Sequence, residues 1–511
     1  MDSPAASLFF KRLLSNAVCQ SCRQSVAQAR HGIVQPLTFQ RAAGTYSRLK
    51  KEAETKKSRK EWGTTADIWQ PRSGLKSQDV VEEFKEYPLT TAEELRHKNR
   101  RPRRQKMLMR DFIEDSLYNP HYGYFSSQAT IFNPGEPFDF PSISDEAEFN
   151  KLLDDRYHIF ENELDERAPN DTRQLWHTPT ELFRPHYAEA MARYLISNYK
   201  LSLFPFNDLI IYELGAGNGT FMINVLDYIR AVEPDVYDRT RYKIIEISAS
   251  LAKTQRERVA AAGHADKVEI INQSIHSWDT FVPQPCFVVA MEVIDNFGHD
   301  AIRYDLATEA PAQSHVLVDA DGDFYERFEP HLDPLAARYL RVRDAASRAP
   351  YRHPLRSGRL LRNIKSRVMG GRGADGGRLG WSQPEYIPTR LLQFFDVLQQ
   401  YFPAHRLLLS DFDRLPDAVP GINAPVVQTR YRRRTIAVTT PLVHQGYFDI
   451  FFPTDFGVME DVYRAVTGRL TRVASHEAFM EQWADIDETT TRSGENPLLS
   501  WYKNARMMMT V

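Results

Sequence analysis

Leu209-Ile210-Ile211-Tyr212-Glu213-Leu214-Gly215-Ala216-Gly217-Asn218-Gly219-Thr220 runs an apolar strand into a turn of three glycines. A helix is expected directly behind it, from Phe221 to Ile229. Gly215 and Gly217 let the backbone bend and approach a ligand where a Cβ would obstruct it. Gly219 lets the following helix pack closely. Glu213 closes the strand with a carboxylate beside the turn. The spacing is G-x-G-x-G, which differs from the G-x-G-x-x-G of dinucleotide binders. A tight strand-to-helix turn without a ligand would use the same residues.

Downstream the pattern alternates strand and helix, which predicts right-handed βαβ units and a parallel sheet. A second strand is expected from Tyr242 to Ile247. Its helix carries Leu251, Gln255 and Val259 and stops at Gly263. A third strand spans Val268 to Asn272, and a fourth Cys286 to Val293. Asp321-Gly322 marks a hairpin between two apolar runs. A helix from Thr389 to Tyr401 precedes a fifth strand, His405 to Asp411. Late strands are expected at Val426 to Arg430 and Thr435 to Thr440. A helix follows Val458, and the tail after Glu488 looks loose. The fold class is therefore α/β, a mostly parallel sheet with helices on both faces.

Working outward, the 511 residues carry a formal net charge of −2, so no global field favours nucleic acid or a membrane. No apolar run approaches the ~18 residues of a membrane span. Three cysteines exclude a disulfide framework. Cys19 and Cys22 form one C-x-x-C without a second ligand pair, so no metal is expected. Residues 1–47 are basic, with Asp2 the only acid, and Leu8, Phe9, Leu13 and Leu14 form one apolar face. That is the composition of a mitochondrial transit peptide. Residues 48–106 read as a charged linker, with a basic cluster at Arg96 to Arg104 that lacks interleaved aromatics. Residues 107–205 read as a helical N-terminal subdomain. It contains helices near Phe112 and from Pro185 to Tyr199, and an acidic insertion or loop at 133–172. The catalytic-type domain spans 206–465, with an Arg/Gly-rich insertion at 350–382. Residues 466–511 read as a C-terminal helix and tail.

An acid ahead of a G-x-G-x-G turn is the loop that S-adenosylmethionine-dependent methyltransferases wrap around the amino-acid end of their cofactor. Glu213, Gly215, Gly217 and Gly219 are the candidates for that task. Glu246, at the end of the second strand, is placed to accept both ribose hydroxyls. Gln273, with Asn272 and Ser274, falls where an adenine cleft is needed. NAD would use a similar layout, and the glycine spacing disfavours it. Ligands lie outside the carboxyl ends of parallel strands, so an acceptor belongs beyond strand four. There Glu292 and Asp295 are either clamps for a cationic acceptor or caps for the next turn. His299 reads as an ordinary turn histidine.

The chain resembles the MidA-type class I methyltransferases over about residues 107–465. The matching pieces are Asp111-Phe-Ile, Leu117-Tyr-Asn-Pro-His-Tyr-Gly-Tyr-Phe-Ser126, Thr178-Pro-Thr-Glu181 and Glu213-Leu-Gly-Ala-Gly-Asn-Gly219. Glu246-Ile-Ser248, Glu385-Tyr-Ile-Pro388 and Gly446 to Phe456 follow in the same order. The resemblance implies S-adenosylmethionine as cofactor and symmetric dimethylation of a protein arginine. It implies the mitochondrial matrix as location and a subunit of respiratory complex I as partner. The family's strand four ends in a pattern like Asn-Glu-Phe-Phe-Asp-Ala-Leu-Pro. Here Glu292 and Asp295 keep it, while Met291 and Asn296-Phe-Gly298 depart. Asp411-Phe412-Asp413 departs from an Asp-Tyr-Gly pattern. A non-catalytic assembly factor and a mitochondrial rRNA methyltransferase are the competing readings.

Overall fold

The computed structural model describes residues 85–127, 129–305, 308–348, 381–415 and 423–511. The transit peptide expected at 1–47, most of the charged linker and nearly all of the Arg/Gly-rich insertion lie outside the described residues.

Seven strands, numbered here in chain order, make the central sheet. They are β1 (Leu209–Leu214), β2 (Thr240–Ile245), β3 (Val268–Ile271), β4 (Cys286–Met291), β5 (His405–Phe412), β6 (Thr471–Ser475) and β7 (Ala505–Thr510). Their spatial order is β3-β2-β1-β4-β5-β7-β6. All neighbouring pairs from β3 to β5 are parallel, and β7 runs antiparallel to both β5 and β6. This is the mostly parallel α/β sheet expected from the sequence, with one antiparallel strand and its neighbour added at one side. The order reverses between β1 and β4, both of which are buried at nearly every position.

Alternation along β1 builds two cores. Leu209 and Ile211 face a cluster completed by the His186–Ser202 and Thr220–Val232 helices. Tyr212 and Leu214 face a second cluster, completed by the Thr389–Tyr401 and Phe456–Thr467 helices. With both faces covered, β1 and β4 need apolar side chains at nearly every position. The helix after β2 starts at a Ser248 cap and stops at Gly263, which adopts φ +75°.

Three expectations need correction. The acidic stretch 133–172 is not mainly loop: Glu146–Arg167 is a 22-residue helix capped by the Asp145 carboxylate. Its buried side chains, Phe149, Leu153, Tyr157 and Glu161, recur every four residues and include an acid, so the apolar stripe is short. The tail after Glu488 is not loose, because it ends in β7, inside the sheet. Its core side chains are Met507, Met508 and Met509, which carry neither the branching nor the alternation that marks a strand. The segment before residue 107 is not all solvated linker. Gln105–Leu108 pairs with the Pro311–Val318 strand of an inserted antiparallel sheet. Arg101 donates to the Gln445 carbonyl at 2.8 Å and lies over the rings of Tyr122 and Tyr447.

Candidate active site

Register sets the site. Ile271, Ile245, Leu214, Ala290 and Leu409 stand side by side across β3, β2, β1, β4 and β5. One step further along each strand come Asn272, Glu246, Gly215, Met291 and Ser410. Glu292 and Asp411 follow one step beyond the last two. The parallel sheet therefore presents the residues singled out by sequence on one edge, at the strand-order reversal.

A cavity of about 550 Å³ opens on that edge. Its volume lies within the ~300–1,000 Å³ typical of small-molecule sites. Gly215, Gly217, Glu246, Gln273, Glu292 and Asp295 line it. Gly215 and Gly217 adopt φ of +61° and +52°, conformations costly for any residue with a Cβ. A Cβ on Gly217 would also stand 2.8 Å from Ile131, which lies over the loop. Gly219 does not line the cavity. It begins the Thr220–Val232 helix at φ +77° and faces the Gln255 side chain.

Glu213 also stays off the cavity. It is 3% exposed and accepts a 2.7 Å bond from the Tyr242 hydroxyl. Burial pushes its carboxyl up to about 8, Tyr242 opposes that shift, and Glu246 adds to it. Side-chain alternation explains the placement, since Glu213 shares a face with Ile211. A direct contact from Glu213 to a cofactor is thus not what the geometry provides.

Glu246 does meet the cavity. Its carboxylate accepts from the Ser248 amide at 2.8 Å and from Gln255 Nε2 at 2.9 Å. Gln255 Nε2 also donates to the Gly217 carbonyl at 2.8 Å, joining the two loops. Burial raises the Glu246 pKa, and those hydrogen bonds partly offset it. Four lone-pair sites on a carboxylate leave two for a ligand diol. Asn272 turns aside to donate to the Glu246 carbonyl at 2.7 Å. Gln273 to Ser277 form the wall beyond it.

The turn after β4 decides between clamp and cap. Ile294–Asn296 is a short helical turn, and no side chain of its own caps it. Asp411, on β5, accepts from the Ile294 and Asp295 amides at 3.0 and 3.1 Å. The capping task expected of Glu292 or Asp295 therefore belongs to Asp411. Glu292 adopts φ +55°, a strained conformation for a residue with a side chain. Its amide is held by the Ser410 carbonyl at 2.8 Å. Asp295 is 6% exposed, and its Oδ1 has no hydrogen-bond partner. Burial, then Asp411, drives both carboxyls far up from the usual carboxylate range. Asp411 is itself raised to about 7 by burial, opposed by its amide donors. Burial and neighbouring acids make Glu292 and Asp295 costly to ionise without a positive charge beside them, and the Asp295 Oδ1 has an acceptor position open.

Several contributors escaped the sequence reading. Glu181, from Thr178-Pro-Thr-Glu181, accepts from Thr220 Oγ1 at 2.8 Å and Asn218 Nδ2 at 3.1 Å. It pins the glycine loop from behind, and its motif was the available signal. Tyr118 lines the cavity and donates to the Asn296 carbonyl at 3.3 Å. Asp449 also lines it and accepts from Asn296 Nδ2 at 3.0 Å. His299 is buried, donates from Nδ1 to the Phe297 carbonyl at 2.7 Å and stacks on Phe452 at 3.7 Å. Among the described residues, no group of three His, Cys, Asp or Glu side chains is placed to hold a metal. No helix of the described residues is long and apolar enough to cross a membrane.

Comparison with known proteins adds to this geometry. A family model described as S-adenosyl-L-methionine-dependent methyltransferase matches residues 190–474. The Schizosaccharomyces pombe protein named "Protein arginine methyltransferase NDUFAF7 homolog, mitochondrial" is 26% identical over 404 residues, covering 75% of this chain and 80% of that protein. A Saccharomyces cerevisiae protein of the same name is 19% identical over 447 residues, covering 83% of this chain and 94% of the relative. A Burkholderia thailandensis protein crystallised with S-adenosyl-homocysteine superposes with a TM-score of 0.48 at 15% identity. The match covers 80% of this chain and 88% of that one.

Proposed function

Because the chain belongs to the S-adenosyl-L-methionine-dependent methyltransferase family matched over residues 190–474, we propose that it methylates a protein arginine in mitochondria. The observation that carries the acceptor is the buried, unpartnered Asp295 Oδ1 beside Glu292, on a turn whose amides Asp411 already satisfies. The arginine named for the two yeast relatives fits this pair of carboxylates. Symmetric dimethylation, a matrix location and a subunit of respiratory complex I as target are the finer form of this proposal.

The residues fit the cofactor. Gly215 and Gly217 give its amino-acid end a backbone free of side chains. Glu246 would take the ribose hydroxyls, and Gln273, on the same cavity wall, would border the adenine. When bound, the sulfonium supplies a methyl group that needs no further activation. The chain's own task is alignment, which can supply a large share of the rate. A guanidinium presents planar N–H donors that match carboxylate oxygens two by two. Glu292 and Asp295 hold that plane and neutralise it. With the cofactor bound, these two carboxylates would hold one Nη of the guanidinium in line to receive its methyl group. The proton lost from that nitrogen passes to the Glu292 or Asp295 carboxylate and then to solvent. A nucleic-acid acceptor is disfavoured, because the cavity wall carries seven carboxyl groups against two arginines, Arg96 and Arg390, and offers little to a phosphate.

The test is incubation of the purified protein with methyl-labelled S-adenosylmethionine and a mitochondrial extract. Label should be released as methylarginine after acid hydrolysis, and Asp295→Asn should abolish it. Label in RNA or in another amino acid would refute the proposal.

A further inference from the structure

The acceptor side of the cavity holds one more acid than the strand-four turn supplies. Asp449 starts the short Asp449–Phe451 strand, which belongs to a separate three-stranded sheet and pairs with Val426–Tyr431. That strand is fastened to the strand-four turn at three points. The Phe452 amide donates to the Asp295 carbonyl at 2.9 Å. Asn296 Nδ2 donates to Asp449 Oδ1 at 3.0 Å and to the Ile450 carbonyl at 2.9 Å. Asn296 is one of the residues at which the chain departs from the pattern it otherwise resembles. Its side chain is the link that brings Asp449 to the cavity.

The other acids nearby are already engaged. Asp411 is occupied by backbone amides. Glu114 is paired with Arg390 at 2.6 Å. Asp115 accepts from Asn119 and the Tyr122 hydroxyl. Asp449 has no cationic side chain within ion-pair reach among the described residues, and burial raises its carboxyl to about 7. Its field also raises the pKa of Asp295 and of Tyr118, so it acts on the same space. The wall next to it is aromatic: Tyr118 stacks on Phe125 at 5.5 Å, and Phe125 meets Trp176 edge-on at 6.2 Å. Such faces also favour a delocalised cation.

We propose that Asp449 is a third acceptor-binding carboxylate, which joins Glu292 and Asp295 at the guanidinium from a separate sheet. A guanidinium has five N–H donors in one plane, more than one carboxylate pair satisfies. Three carboxylates supply acceptors around its edge, and the fixed Asn296 link keeps the third in place. This inference rests on the arginine acceptor proposed above and adds to it a residue from a different sheet.

The experiment measures binding of an acetylated Gly-Arg-Gly amide and its Gly-citrulline-Gly counterpart, with S-adenosyl-homocysteine present. Citrulline keeps the shape and loses the charge. Wild-type protein should prefer the arginine peptide. Asp449→Asn keeps an oxygen for Asn296 and should lose roughly tenfold or more of that preference, equivalent to about 1.4 kcal/mol. Its affinity for S-adenosyl-homocysteine and its melting temperature should not change. An arginine preference equal to that of wild type in Asp449→Asn would overturn the third-carboxylate assignment alone. A wild-type protein without any arginine preference would overturn this inference together with the arginine acceptor. Asn296→Ala provides a second variant: it frees Asp449 from its anchor and should reduce the preference in the same direction.

Discussion

Two glutamates near the glycine loop make opposite demands on their carboxylates. Glu246 is held ionisable by an amide and by Gln255, with lone pairs left toward the cavity. Replacing it by Ala should weaken S-adenosylmethionine binding roughly tenfold to a hundredfold, since a hydrogen bond to an ionised group contributes about 1.5–3 kcal/mol. Titration calorimetry on the folded variant reads this directly, and an unchanged affinity would remove Glu246 from the ribose site. Glu213 is buried against Tyr242 and titrates near 8. Between the ordinary carboxylate value of 4.5 and that value, the folded chain keeps a proton that the unfolded chain has lost. The stability contributed by this group therefore falls as pH rises through that window. Glu213→Gln removes the titration and keeps an acceptor for the Tyr242 hydroxyl. Its urea midpoint should gain on wild type as pH goes from about 5 to about 8. A pH-independent difference would contradict the buried, protonated state. The sequence made Glu213 visible as an acid beside the glycines. It could not show the direction of the side chain, which depends on the pairing phase of β1 in the sheet.

At the level of elements, legibility followed side-chain periodicity. β1 to β5, their helices and the hairpin at Asp321-Gly322 were readable because apolar runs alternate with glycine or proline breaks. The Thr389–Tyr401 helix was readable to its ends, since Leu391, Leu392, Phe394, Phe395 and Leu398 mark one face. β7 was not readable, because three consecutive methionines signal neither period 2 nor period 3.6. It is nevertheless an internal strand of the sheet: it pairs with β5 from Leu408 to Phe412 and with β6 from Thr471 to Ser475. The neighbouring Trp501 and Tyr502 line the cavity near Glu292. Deleting residues 505–511 should expose the facing edges of β5 and β6 and remove the buried side chains of Met507 and Met508. Burial of one such side chain contributes about 1.5–3 kcal/mol, so losing several exceeds a large part of a typical domain's stability. The truncated chain should be insoluble or lack a cooperative melting transition. A soluble truncation that still binds S-adenosylmethionine would show that β7 is dispensable. The capping role of Asp411 was unreadable for a related reason: it acts on a turn more than a hundred residues away, through sheet register alone.

Across the whole molecule, the division drawn at residue 206 separates sequence patterns without separating cores. Phe149, Leu153, Phe183, Tyr187 and Leu195, all before that point, share one buried cluster with Leu209, Ile211, Val225 and Met507. The ring of Phe149 meets Trp501 at 5.1 Å, and Tyr187 stacks with His476 at 6.0 Å. Glu181 holds Asn218 and Thr220, and Ile131 covers Gly217, so the N-terminal part also shapes the cofactor loop. An isolated 206–465 fragment would expose that face of the sheet, and it would also lack β6 and β7. The expected outcome is that this fragment does not fold alone. The chain from residue 85 to 511 should instead melt in one transition that includes the N-terminal helices. Hydrogen exchange can separate the alternatives, because it reports each segment's opening free energy. Amides of the His186–Ser202 helix should open with the same free energy as those of β1. Markedly weaker protection in that helix than in β1 would mean that residues before 206 form an independent layer, and that the glycine loop folds without them.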